Sequence, residues 1–113
     1  SEFYDLNKAL KLILEDFAKS ACSQAVSIVL FGSAAKGTAT RGSDIDILLI
    51  SKGKKGIDKL TKEIYAKYGK EINAVVMAPD DFRKQKDKAV IREIISNHYV
   101  IHGAEGFVNL VFK

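Results

Sequence analysis

Apolar residues recur along this chain with two different periods, and the changes of period mark the elements. From Phe3 to about Lys19, Leu6, Leu10, Ile13, Leu14 and Phe17 fall three and four apart, the stripe of one helix face. Ser20 to Gln24 breaks that stripe. Val26 to Phe31 is a short β-branched and apolar run, the mark of a buried strand. Gly32 to Gly42 mixes glycines with Ser33, Thr38 and Thr40, which predicts a turn and loop with one helical turn after Gly32. Asp44 to Ser51 reads as a second strand. Ile57 to Tyr68 reads as a helix with Leu60, Ile64 and Tyr68 on one face and Gly69 as its C-cap. Glu71 to Met77 is a third strand. Pro79-Asp80-Asp81-Phe82 is a helix start, because Pro fits a first turn and carboxylates favour its positive end. Val90 to His98 is helical, and Tyr99 to His102 is a short strand or extended tail closed by Gly103. The apolar tail Phe107 to Phe112 predicts a final strand or an exposed patch, used for packing or for pairing subunits.

Helices alternating with strands in this order predict an α/β domain with a mixed sheet covered by helices. At 113 residues the chain is long enough for one domain and too short for two, so residues 1–113 are expected to form a single unit. A hydrophobic fraction of 47% with 28% charged residues is ordinary for a globular protein. No apolar run approaches the ~20 residues that span a bilayer, which argues against a membrane protein. The first apolar stretch carries Lys8, Lys11, Glu15 and Asp16, unlike a signal peptide, and the start at Ser1 without Met suggests a trimmed or tagged end. Cys22 is the sole cysteine, so no internal disulfide or cysteine zinc site is expected and the cytoplasm is the default location. The net charge of +4 suits a phosphate-bearing ligand without requiring one. Lys52, Lys54, Lys55, Lys59, Lys62, Lys67 and Lys70 read as a solvated face; no aromatics alternate with them, which disfavours a nucleic-acid platform.

The candidate chemistry lies between the first two strands. Leu30-Phe31-Gly32-Ser33 is followed, after a ten-residue spacer, by Asp44-Ile45-Asp46-Ile47-Leu48-Leu49-Ile50. Side chains two apart on a strand share a face, so Asp44 and Asp46 point the same way, roughly 6–7 Å apart. Adjacent carboxylates repel unless a cation lies between them. Hard oxygen ligands on a rigid strand suit Mg²⁺ or Mn²⁺. The nucleophile elbow and the dinucleotide fingerprint are absent, and Gly37 is followed by Thr38-Ala39 rather than by the Lys-Ser/Thr of a P-loop.

Gly-Ser, the spacer with Gly37, and Ser43-Asp44-Ile45-Asp46 resemble the DNA polymerase β-like nucleotidyltransferase superfamily, in particular its minimal (MNT-type) branch. The resemblance extends through Val75 to Phe82 and Ile91 to Gly103. Together with the element pattern it implies an α/β (α+β) nucleotidyltransferase fold, a small mixed β-sheet with helices packed mainly on one face, and transfer of a nucleoside monophosphate, most simply AMP from ATP with Mg²⁺, to a hydroxyl on a protein or small molecule. It also implies a HEPN-type, all-helical toxin partner for which this chain would be the antitoxin. On that frame Gly32 leaves room for a triphosphate, and Ser33 and the first turn after it face the phosphates. Asp44 and Asp46 hold the metal and are the catalytic pair, and Lys36 and Arg41 can reach the triphosphate from the spacer.

One position departs from the pattern. Superfamily members usually carry a third carboxylate on the third strand, and the matching residue here is Asn73. An amide neither takes a proton nor supplies charge to a metal. Glu71, two residues earlier on the same predicted face, is either a surface residue or a substitute ligand. The alternative to an enzyme is therefore a catalytically impaired module that binds nucleotide or a protein. His98 and His102 lack the company of a metal motif and read as structural, and Tyr4, Tyr65, Tyr68 and Tyr99 read as core edges.

Overall fold

A strand whose residues are apolar at both parities must be covered on both sides, and Ile47-Leu48-Leu49-Ile50 is such a run. In the computed structural model, which describes residues 2–113 and side chains from Asn7 onward, this strand is central. The elements are α1 (Glu2–Ala21), β1 (Ala25–Phe31), α2 (Gly32–Lys36), β2 (Ile45–Ser51), α3 (Ile57–Tyr68), β3 (Ile72–Met77), α4 (Pro79–Lys84), α5 (Ala89–Ser96), β4 (Tyr99–His102) and α6 (Ala104–Phe112). The sheet order is β3-β2-β1-β4. β1 runs antiparallel to β2 and to β4, while β2 and β3 are parallel and joined through α3. The sheet is thus mixed, as expected.

The two faces of the sheet bury two separate cores. Ile45, Ile47 and Leu49 join Ile13 and Phe17 of α1 and Leu60 and Ile64 of α3 on one face. Leu48 and Ile50 join Phe82, Ile91, Ile94, Phe107 and Leu110 on the other. Helices therefore cover both faces, with α1 and α3 against α4, α5 and α6, rather than mainly one. The reason is the double-sided apolar pattern of β2, which an open face would leave wet.

The C-terminal tail forms a helix, not the alternative strand. Phe107, Leu110 and Val111 fall three and four apart and pack together in the second core. The ring of Phe107 lies 5.8 Å from that of Phe82 and 5.0 Å from the His98 imidazole. The tail thus has the packing role, and its Val108 and Phe112 remain exposed. Gly103, at φ +73, turns β4 into α6; a Cβ there would lie 1.9 Å from the Val26 carbonyl oxygen. Ser27 Oγ donates to the Gly103 carbonyl at 2.8 Å and locks the joint.

α1 is tied to α3 at its outer edge. Asp16 Oδ2 accepts from Lys67 Nζ at 2.9 Å and from Tyr68 Oη at 2.7 Å. Those two hydrogen bonds hold the Asp16 carboxyl below its ordinary value and push Lys67 and Tyr68 above theirs. Tyr68 is half-buried as expected, whereas Tyr65 and Tyr99 are exposed rather than core edges. Tyr4 and Leu6 lie outside the described side chains.

Candidate functional site

β1 ends at Phe31, directly opposite Asp46 of β2 in the antiparallel register, and Asn73 of β3 stands opposite Asp46 on the other side. Three adjacent strands therefore bring Gly32, Asp46 and Asn73 into a row. Gly32 adopts φ +70, and a Cβ on it would lie 2.2 Å from Asp46 Oδ2 and 3.2 Å from Asp46 Cβ. Only glycine leaves the Asp46 carboxylate its place.

β2 begins at Ile45, so Asp44 precedes the strand rather than opening it. It still turns toward Asp46. Asn73 Nδ2 lies 3.4 Å from Asp44 Oδ2 and 3.2 Å from Asp46 Oδ1, so one amide nitrogen donates to both carboxylates. Asp44 is exposed and Asp46 half-buried, which leaves the pair open to a ligand. Asn73 thus stands against both carboxylates, on the strand where the resemblance leads a third acid to be expected, and its amide is neutral.

Glu71 does not join them. It lines a surface hollow with Asp58, Lys62 and Tyr65 of α3, and its main-chain carbonyl accepts from Ile45 N–H at 2.9 Å. Among the described residues no group of three or more His, Cys, Asp or Glu side chains could hold a metal. The pair alone still fits Mg²⁺, which is commonly bound through one or two carboxylates with substrate phosphates completing the shell. His98 Nδ1 lies 2.9 Å from the Ile95 carbonyl, a structural place.

The remaining predicted residues sit around the turn after β1. Ser33 is in the first turn of α2; the N-cap position is Phe31, with no side-chain cap bond, so Ser33 is not the capping hydroxyl. Lys36, at the far end of α2, is ion-paired with Glu93 of α5 at 2.5 Å. Arg41 is exposed on the loop between α2 and β2. That loop is held by Ser43, whose Oγ accepts from Thr40 N–H at 2.9 Å. Lys70 is the residue that sequence reading passed over: its Nζ donates to the Arg41 carbonyl at 2.5 Å and the Ser43 carbonyl at 3.2 Å. Nothing in its local sequence separates it from the other lysines, since the loop it reaches is 27 and 29 positions away. Lys70 and Asp44 also share a small cavity of about 70 Å³ beneath the loop, walled by Leu10, Ile13 and Ala34.

A mixed four-stranded sheet that presents two convergent carboxylates beside a glycine turn defines the nucleotidyltransferase fold. Comparison with known proteins agrees. Residues 10–102 match the nucleotidyltransferase domain family, to which this chain belongs. The chain is 32% identical, over 88% of its length and 76% of the relative's, to "Putative protein adenylyltransferase MJ1305" of Methanocaldococcus jannaschii. It is 33% identical, over 84% of its length and 96% of the relative's, to "Putative protein adenylyltransferase MJ0604" of the same organism. Among solved structures, a toxin–antitoxin crystallised with AMP-PNP superposes at a TM-score of 0.65 with 16% identity, covering 88% of this chain and 78% of that one. A mutant of the toxin–antitoxin MntA-HpeT does so at 0.63, also with 16% identity, covering 93% of this chain and 79% of that one. These two likenesses are of fold.

Proposed function

We propose that the chain transfers AMP from ATP to a hydroxyl of a protein, as the antitoxin partner of a HEPN-type, all-helical toxin in the cytoplasm. The observation that carries this reading is the convergence of Asp44 and Asp46 on one point beside Gly32. The names of the two curated relatives support adenylyl transfer, and the toxin–antitoxin neighbours support a toxin partner. Asp44 and Asp46 would hold Mg²⁺ or Mn²⁺; when bound, such an ion neutralises charge on the phosphates in the transition state. Gly32 keeps the turn open for the triphosphate, and the Ser33 hydroxyl donates to a phosphate oxygen. Arg41 brings positive charge to the loop beside the pair, and Lys36 would exchange its Glu93 partner for a phosphate. Incubation with α-labelled ATP, Mg²⁺ and an all-helical protein encoded beside this chain should label that protein, and Asp44→Asn should abolish the label. A partner that forms a complex yet stays unlabelled would overturn this function.

Asn73 favours a second reading, a module that binds Mg²⁺·ATP without turnover. The amide bridges both acids and cannot accept the proton of an attacking hydroxyl. Calorimetry showing binding without transfer, with activity appearing in Asn73→Asp, would select it. Measurable transfer by the unaltered chain would reject it.

A further inference from the structure

We infer that Lys70 is a positioning residue for Asp44. Beyond the Asn73 amide that both carboxylates share, the two acids of the pair are fixed by different means. Asp46 lies within β2, between paired residues of β1 and β3, so the ladder itself sets its direction. Asp44 lies ahead of the strand, at the end of the loop from Gly37 to Ser43, and no ladder pair holds it. A carboxylate at a loop end samples many positions unless its backbone is tied down. Lys70 provides the tie. Its ammonium spans the carbonyls of Arg41 and Ser43, the second belonging to the residue immediately before Asp44. The next residue of the Lys70 segment continues the seam, because Glu71 O accepts from Ile45 N–H. Residues on both sides of Asp44 are thereby sewn to the chain entering β3, the strand that carries Asn73. An ammonium-to-carbonyl bond is charge-assisted and stronger than a neutral one. Two of the three ammonium donors are directed at main-chain oxygens, so the direct effect of Lys70 falls on the loop that carries Asp44.

This inference rests on the reading of Asp44 as a metal ligand, and the experiment separates the two. Mn²⁺ binding is titrated by electron paramagnetic resonance in the presence of ATP for the parent chain, Lys70→Met, Lys70→Arg and Asp44→Asn. ATP affinity is measured in EDTA, and melting temperatures are recorded. Removing a group that orients a metal ligand typically weakens metal binding 10–100-fold, so Lys70→Met should raise half-saturating Mn²⁺ by about tenfold and Lys70→Arg should recover most of it. ATP affinity in EDTA should match the parent. If Lys70→Met binds Mn²⁺ like the parent while Asp44→Asn does not, the role of Lys70 is refuted and the metal reading stands. If Asp44→Asn binds Mn²⁺ like the parent, the metal reading fails and takes this inference with it. Lost ATP affinity in EDTA would make Lys70 a phosphate contact. Equal losses of Mn²⁺ binding and melting temperature in both Lys70 variants would make it merely structural. Either result overturns the inference.

Discussion

Replacing Gly32 by alanine tests how the turn and the acid pair depend on each other. At φ +70 an L-residue is disfavoured by about 1–2 kcal/mol. The added methyl also meets the Asp46 carboxylate 2.2 Å away, where real Cβ contacts do not fall below 3.0 Å. Rotating the carboxylate tip relieves only part of this, since Asp46 Cβ itself lies at 3.2 Å. An off-rotamer Asp46 adds about 0.5–1.5 kcal/mol. The stability loss should come to about 2 kcal/mol, a drop of roughly 8 °C in Tm for a chain of this size. The catalytic cost should be larger. The carboxylate must retreat by about 1 Å, and misplacement on that scale costs about 100-fold in rate. The assay is transfer of label from α-labelled ATP to the proposed helical partner, with Tm from calorimetry as the control. Transfer within about threefold of the parent would mean that this packing of Asp46 against Gly32 does not set the reacting geometry, against the scale expected for such a shift.

Three further outcomes rest on the packing of α6 and on the tie between α1 and α3. Gly103→Ala drives a Cβ into the Val26 carbonyl and Ser27 backbone at a left-handed position; a loss of about 2–4 kcal/mol in urea unfolding is expected, and a loss under 1 kcal/mol would refute the close packing of that joint. Phe107→Ala empties the centre of the second core and should cost about 3–5 kcal/mol by the same measurement; a change like that of a surface residue would show that α6 does not complete the core. For pH, the Asp16 carboxyl is lowered in the folded state, so its contribution is present above its ordinary value of 3.8 and fades as pH falls through the folded value. Lys67 and Tyr68 are raised, so theirs is present below 10.5 and 10.0 and fades as pH climbs through the folded values. Urea midpoints against pH should flatten on the acid side in Asp16→Asn; an unchanged acid limb would show that this tie contributes nothing.

Much of the molecule was legible before folding. The strand, the turn and the helix starts follow from local rules, because Gly69 and Pro79 act on their own neighbours and periodicity needs only a few residues of chain. The spacing of Gly32, Ser33, Asp44 and Asp46 placed the candidate site on a strand–loop–strand frame, since side-chain parity is a property of one strand. Pairings across the chain were not legible. The tail from Phe107 to Phe112 is apolar enough for strand or helix, and only the groove left by Phe82, Ile91 and Ile94 makes the helical face the one that buries. Glu71 and Asn73 share a parity, yet the β2–β3 register puts Asn73 beside Asp46, while Glu71 lies against α3. Lys70 looked like any surface lysine because its role comes from carbonyls far along the chain. Short-range order thus came from the residues themselves. Which distant groups meet was decided by sheet register and by the second core, where contacts form only once long loops have closed.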